Sequence, residues 1–435
     1  MSMWWETPRS LEVKDHALHI GGRNAREIAE EYGTPLYVTD GKRIEENYNR
    51  LYRNVQKHLQ RKLDIHYSVK ANSNIAVLKL LKKLGSSIDA TSPFEVLTAE
   101  KAGFTREQII CTGTSFSNDD MTAIADKAIM NIDSISQLKR YADLVKSKNF
   151  DPRISIRINP GKGAGHCPDC VTAGEDAKFG VPEHEALPAY KMALEYGLKP
   201  IGIHQHIGSG ILPPDLNVFY ENAEKLLDIA GKIRKTCHVD FKFIDFGGGL
   251  GIPYKESDTP IDIKDFGKRF GTIVEEKAAE HGLSSFDIYL EPGRLIVGDS
   301  TVLLMKVVDC NRKYVNELGV DAGFNILDRP ARYKTYHEIV NVNKADMKAV
   351  EDYRVSGNLC ESGDVFTESK HALRKLPVTS EDECLAILDA GAFGSSMSSN
   401  YNMRPRAREV MVYGGEVKII RERDSFEDII RNQRW

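Results

Sequence analysis

The residue best placed for covalent chemistry is Lys70, which ends the apolar run YSVKAN. A lysine at the end of a buried strand can lose its charge through desolvation or a neighbouring cation, and its amine then attacks an aldehyde. Alone, such a residue is more often a surface cation with a snorkelling tip. Three further groups change that balance. The run FGGGLG at 246–251 lets backbone N–H groups approach an anion closely, with Gly248 and Gly249 at its centre. HQHIGS supplies His206, a ring able to lie flat against a planar ligand, and Ser209, a hydroxyl donor for a phosphate. EPGR supplies Glu291, Pro292, Gly293 and Arg294, a carboxylate followed closely by a guanidinium that can meet carboxylates bidentately. Singly, these read equally well as a helix cap, a core histidine or a surface ion pair. Together they favour a phosphorylated ligand, with Glu291 the acidic group available to keep a pyridine nitrogen protonated so that such a ring absorbs a carbanion's electrons.

Such groups need a scaffold that brings distant strand ends together. Eight β-type runs begin at Ile65, Ser87, Ile109, Met130, Ile154, Ile201, Phe241 and Phe286, and the first five starts lie 21 to 24 residues apart. That spacing is a strand, a helix and two short loops. Eight alternating units predict a closed parallel (β/α)8 TIM barrel in preference to an open doubly wound sheet. Lys70, Asp89, Thr112, Asp133, Arg157, His206, Gly247 to Gly249 and Glu291 all fall at the C-terminal ends of those runs. In a barrel those ends form one rim, the usual place of the active site, and the loops after strands seven and eight usually hold phosphate.

Between the runs, Ile75, Leu78, Leu81 and Leu84 share a helical face that Val77 and Leu80 widen. Ser92, Pro93 and Glu95 form a capping-box start, Gly103 a stop, and Ser134 with Gln137 repeats the box. After about residue 300 the pattern turns to strands, including REVMVY and EVKIIRER joined by Gly414 and Gly415, a hairpin signal. The expected organisation is a barrel over 39–300 and a β-domain, sandwich-like or barrel-like, from 1–38 and 301–435.

A chain of 435 residues with net charge -4 offers no clustered cation excess for nucleic acid. Residues 1–9 lack the basic and apolar pattern of a secretory leader, and no window approaches a membrane span. Seven scattered cysteines argue against a disulfide framework and for a reducing, cytoplasmic setting. Cys167 and Cys170, beside His166, have half the spacing of a zinc site without a second pair, so a polar loop is expected and no metal.

The strings EYGTPLYV, YSVKAN, HIGS, FGGGLGIPY, EPGR, DAGFNILDRPARYKTYHEI, CESGDVF and SNYNMRPR, spread from Glu31 to Arg406, resemble the barrel-type pyridoxal-phosphate-dependent decarboxylases of ornithine, arginine and diaminopimelate, and among these the diaminopimelate branch. The resemblance implies pyridoxal 5'-phosphate held covalently by Lys70, with Glu291 on the ring nitrogen and His206 stacked on the ring. It implies a cofactor cradle that also draws on Asp89, Arg157, Ser209, Gly248, Gly249, Pro292, Gly293, Arg294 and Tyr401. Cys360 is similar to the family's proton donor, delivered with Glu361 from the second subunit of a homodimer. Arg294, Arg329 and Tyr333 suit a distal carboxylate and Glu361 a distal ammonium, with Tyr401, similar to the tyrosine that closes over the phosphate, also at the substrate, which implies meso-diaminopimelate as substrate and L-lysine as product. The alternative is a decarboxylase of ornithine, arginine or a D-amino acid on the same fold. A racemase would not need CESGD, and a non-enzymatic mimic would not need both Lys70 and Cys360. Two stretches depart from the family pattern: SPFE, where relatives usually carry a Gly pair, and 161–180, which differs from the usual lid-like loop.

Overall fold

The computed structural model describes residues 3–6, 11–213 and 215–434, so part of the 1–9 segment weighed above as a leader lies outside the described residues. The chain divides into two compact units, Asn47–Ile252 with Thr259–Leu295, and Met1–Glu46 with Pro253–Asp258 and Ile296–Trp435. The divisions differ from the expected 39 and 300 because strand Leu36–Asp40 pairs within the second unit, and helix Gly41–Gln56 spans the boundary.

In the first unit the alternation produces the closed barrel the spacing predicts. Its strands are β1 Leu63–Ser68, β2 Ser87–Ala90, β3 Ile109–Thr112, β4 Ile129–Ile132, β5 Arg153–Asn159, β6 Lys199–His204, β7 Phe243–Asp245 and β8 Asp287–Leu290. Each runs parallel to the next, and β8 pairs with β1 to close the ring. A two-residue strand, Val181–Pro182, adds beside β5, which the eightfold pattern does not foresee. Covered on both faces, β2, β3 and β4 are buried at every residue and therefore show no period of two. Near the strand starts Ile110, Ile129 and Phe243 pack with Ile201 and Tyr289, and the Phe243 and Tyr289 rings stack at 4.4 Å. Truncating such a buried ring costs about 3–5 kcal/mol. Toward the strand ends the buried residues are polar, among them Asp89, Asn131, Ser155, His204 and Asp245.

The capping boxes close one residue earlier than the simple motif. Ser92 Oγ accepts from the Glu95 amide, but Glu95 Oε2 accepts from the Thr91 N–H at 2.6 Å. Likewise Ser134 Oγ accepts from the Gln137 amide, and Gln137 Oε1 from the Asp133 N–H at 2.6 Å. Each cap therefore pins the backbone that leaves its strand, which fixes the rim beside Asp89 and at Asp133.

In the second unit a sheet runs through Arg374–Leu376, Glu351–Ser356, Asn316–Val320, Thr301–Arg312, Leu36–Asp40, Arg408–Tyr413 and Glu416–Arg421, with Ile339–Asn341 and Cys384–Ile387 branching from Thr301–Arg312. Leu36–Asp40 lies antiparallel to Thr301–Arg312 and parallel to Arg408–Tyr413. The Gly414 and Gly415 turn, φ 62° and 82°, makes the predicted hairpin, a left-handed pair that glycine adopts freely. Apolar side chains gather in two buried clusters, one that includes Trp5, Leu18, Val38, Leu304 and Val410, another that includes Tyr37, Leu303, Leu318, Val355 and Leu385.

Candidate active site

Lys70 stands two residues past β1, on a short 3-10 turn Val69–Ala71, with its side chain 34% exposed. Its Nζ donates to Asp89 Oδ2 at 2.6 Å, and Ser68 Oγ donates to the same oxygen at 2.9 Å. Burial draws the ammonium down, but Asp89 and then Glu291 outweigh it and hold the group above its ordinary range. The neutral amine expected from desolvation is therefore not the state of this rim: Asp89 keeps Lys70 charged.

Glu291 follows β8 and is 2% exposed. Burial penalises its charge, yet the His204 ring, by charge and by hydrogen bond, and then Lys70 hold the carboxylate well below the usual range. His204 Nε2 donates to Glu291 Oε1 at 3.1 Å, while Oε2 lies 3.6 Å from His206 Nδ1. That Nδ1 accepts from the Gly248 amide at 3.1 Å. Burial, with Lys70, pushes the His206 ring well below its ordinary range, so it is neutral at pH 7. Asp245, at the end of β7, accepts from the Gly247 amide at 2.9 Å, and burial followed by Glu291 raises its carboxyl well above the ordinary range.

The glycine run is tight for a steric reason. A Cβ on Gly248 would lie 1.9 Å from the Glu291 carbonyl oxygen, and Gly249, at φ 103°, would bring one 2.5 Å from Gly208 O. The run is therefore packed against the first residue of EPGR, and the Glu291 amide donates to Gly247 O at 2.8 Å. Pro292 O accepts from Ser68 N at 3.4 Å, Gly293 lies against Ala71, and Arg294 Nη2 donates to Ser209 Oγ at 3.1 Å. Lys70, His206, Ser209, Gly248, Gly249 and Glu291 to Arg294 are thus brought together at one end of the barrel.

Arg157 and Asp133 brace the neighbouring loop. Arg157 Nη2 donates to the carbonyls of His206 at 3.3 Å and Thr172 at 3.4 Å, its guanidinium lies 4.6 Å over Phe179, and Asp133 Oδ1 accepts from Gly180 N at 3.0 Å. Thr112 Oγ1 accepts from Asn131 across the barrel wall at 3.0 Å. Both arms of loop 161–180 bond to the His206–Ser209 segment, through Ala164 N to Ile207 O, His166 N to Ser209 O, and Ser209 N to Cys170 O. Cys167 and Cys170 form a disulfide at the loop's tip, which corrects the expectation of a free polar loop. An isolated pair three residues apart is local, and the chain's overall cysteine scatter carries no sign of it.

The remaining residues that the resemblance implicates lie in the second unit. Arg329, 1% exposed, donates from Nη1 to Tyr254 Oη at 2.9 Å and meets His337 Nε2 at 3.0 Å. Tyr333 is half-buried. Cys360 and Glu361 are exposed, and the Cys360 amide donates to Asn402 Oδ1 at 2.7 Å, beside Tyr401, whose ring stacks on Phe324 at 5.5 Å. Buried Asp364 accepts from the amides of Phe324 at 2.7 Å and Leu359 at 2.7 Å, joining the GFN and CESGD turns.

Residues 45–298 match the family model described as pyridoxal-dependent decarboxylase, pyridoxal binding domain. The diaminopimelate decarboxylase of Methanothermobacter thermautotrophicus is 46% identical over 425 residues, 97% of each chain, and that of Archaeoglobus fulgidus is 37% identical over 98% of each. The chain belongs to the diaminopimelate decarboxylase family. A solved member, from M. jannaschii in complex with L-lysine, superposes with a TM-score of 0.88 at 32% identity, covering 97% of this chain and 96% of that one.

The barrel end of this decarboxylase fits the family's cofactor. It offers a primary amine at Lys70, an ionised carboxylate at Glu291, a neutral ring at His206, and glycines packed too closely on the Glu291 and Gly208 backbone to carry a side chain. Asp89 Oδ1, His204 Nδ1 and Asp245 Oδ2 are buried there without a hydrogen-bond partner. Sequence reading missed His204, Asp245, Tyr254 and Asp364. His204 alone carried a signal, being two residues before His206 and the last residue of a strand.

Proposed function

We propose that this protein decarboxylates meso-2,6-diaminopimelate to L-lysine and CO2, using pyridoxal 5'-phosphate at the barrel rim. The observation that carries the reading is an amine and an ionised buried carboxylate on adjacent strands, Lys70 after β1 and Glu291 after β8, beside a glycine cradle. When bound, the cofactor supplies an aldehyde that captures the substrate amine and a pyridinium that takes up the electron pair left as CO2 departs.

Lys70 holds the cofactor, with Asp89 setting the amine's charge. Glu291 holds the ring nitrogen's proton, and neutral His206, fixed by the Gly248 amide, supplies a flat face for the ring. Ser209, Gly248, Gly249, Pro292, Gly293 and Arg294 receive the phosphate and the substrate carboxylate, with Arg157 bracing the His206 loop. Tyr401 closes over the phosphate. Arg294, Arg329 and Tyr333 take the distal carboxylate of the substrate, Glu361 takes its distal ammonium, and Tyr401 borders the substrate.

Cys360 returns the proton to the substrate carbon. We place Cys360 and Glu361 in the site of a partner subunit, in a homodimer whose contact includes the β-domain. The support is their exposure on a loop tied to Asn402, together with family kinship. A cytoplasmic location is proposed with it; among the described residues no helix is long and apolar enough to cross a membrane.

The test is to incubate the cofactor-loaded protein with meso-diaminopimelate, ornithine and arginine, scoring L-lysine and CO2. Stoichiometric L-lysine from the first alone supports the proposal; CO2 from ornithine or arginine in preference would replace it.

A further inference from the structure

The reaction proposed above leaves His204 without a part, although it touches the most consequential carboxylate in the barrel. His204 is the last residue of β6, 1% exposed, and its Nε2 donates to Glu291 Oε1 over 3.1 Å. The second oxygen, Oε2, lies on the His206 side at 3.6 Å from that ring. One oxygen is tied to β6, and the other is presented toward the ring proposed to stack on the cofactor.

A carboxylate buried to this degree favours its neutral form unless a partner opposes it. The groups facing Glu291 are His66 on β1, Lys70 after it, Asp89 on β2, Arg157 on β5, His204 on β6, His206 after it and Asp245 on β7. Asp89 adds to the penalty for an ionised neighbour, while Asp245, its own carboxyl raised by burial and then by Glu291, favours its protonated form there. Lys70 is engaged by Asp89 at 2.6 Å. His204 makes the direct hydrogen bond.

We propose that His204 is the positioning residue for Glu291: its Nε2–H holds Oε1, keeps the carboxylate ionised and turns Oε2 to the rim. This rests on the reading of Glu291 as partner of the cofactor's ring nitrogen. A carboxylate that binds protons weakly leaves a shared proton on that nitrogen, where the ring is the better electron acceptor.

The experiment begins with cofactor-free protein carrying 13C at glutamate carboxyls, the Glu291 resonance being assigned by its loss in Glu291→Gln. In the wild type that signal stays at the carboxylate position throughout the pH range in which the protein is folded. In His204→Phe it titrates within or above the ordinary carboxylate range, and in His204→Gln, which keeps an N–H donor without a charge, it titrates at lower pH than in His204→Phe. A folded His204→Phe or His204→Gln protein whose Glu291 signal does not move overturns the proposal; should the first fail to fold, the second decides.

The loaded enzyme then tests the reading beneath it. Its kcat in His204→Phe falls about tenfold per pH unit below the new carboxyl pKa, with KM unchanged, a limb the wild type lacks. Titration of Glu291 without that limb upholds the tie between His204 and Glu291 and overturns the role given to Glu291.

Discussion

Lys70 Nζ and Asp89 Oδ2 lie 2.6 Å apart, bridged by Ser68 Oγ, and this contact, together with Glu291, outweighs burial in setting the charge of the amine. The Lys70 ammonium is raised above its unfolded value, so the pair's contribution to stability is complete at neutral pH and is lost as pH rises through the raised range. Only a neutral amine attacks an aldehyde. In Asp89→Asn the ammonium loses the partner that raises it. Cofactor-free protein should then take up pyridoxal phosphate, followed by its absorbance, at lower pH than the wild type; an unshifted uptake profile would show that Asp89 does not control the amine.

Gly248 has no room for a side chain, because a Cβ there meets the Glu291 carbonyl at 1.9 Å. Gly248→Ala must move either the glycine run or the EPGR turn, at a cost of at least about 1–3 kcal/mol. The amide that donates to His206 moves with it. Urea unfolding should report the lost stability, and cofactor dissociation should be faster than in the wild type; a variant equal to wild type in both would mean the cradle yields.

The disulfide between Cys167 and Cys170 closes a four-residue ring at the tip of a loop whose arms bond to the His206–Ser209 segment. Chain-entropy reasoning gives such a ring about 2 kcal/mol, confined to the loop. Reduction, or Cys170→Ser, should open 161–180 to proteases while leaving the global unfolding midpoint nearly unchanged. Equal cleavage of oxidised and reduced protein would show that the ring does not hold the arms.

The parts of this site that could be read from sequence share one property. Lys70, the glycine run and Glu291 each sit at a strand end in a local string, where strand, turn and chemistry are adjacent. Asp245 and His204 act through burial and through partners on other strands, which no local pattern encodes. Leu36–Asp40 is a similar case, since its sheet partners are Thr301–Arg312 and Arg408–Tyr413, and the strand looks like the barrel's entry until those pairings are known. Helix Ile75–Lys83 is legible because a stripe shows in the sequence alone; Val77, Leu78, Leu80 and Leu81 are its buried residues.

Asp364 is the hinge pin of the CESGD turn. Its two carboxylate oxygens each accept from one backbone amide, those of Phe324 and Leu359. Asp364→Ala leaves both donors in a buried site, a loss of about 1–3 kcal/mol for each that stays unsatisfied. The turn that carries Cys360 and Glu361 loosens as well. Thermal unfolding should fall, and kcat should fall further in Asp364→Ala than in Asp364→Asn, which keeps one acceptor oxygen; equal kcat in the two would detach the turn from proton delivery.

Arg329 brings the roles of packing and recognition into conflict, and the conflict can be measured. The side chain is 1% exposed, stacked 4.6 Å from the Tyr254 ring, with Nη1 bonded to Tyr254 and His337. His337 Nδ1 in turn donates to Leu388 O at 2.8 Å, so its Nε2 is the acceptor and Arg329 the donor. A guanidinium fixed by two partners is aligned before any ligand arrives, which reduces the entropy lost on binding a carboxylate. Tyr254→Phe removes one fixing bond and keeps the stacked ring, a change worth about 0.5–1.5 kcal/mol, or roughly a two- to tenfold effect. If Arg329 receives the distal carboxylate, that effect should appear in KM for meso-diaminopimelate with kcat nearly constant. If it appears instead as a lower unfolding temperature with KM unchanged, Arg329 serves the fold and the distal carboxylate is met by Arg294 and Tyr333.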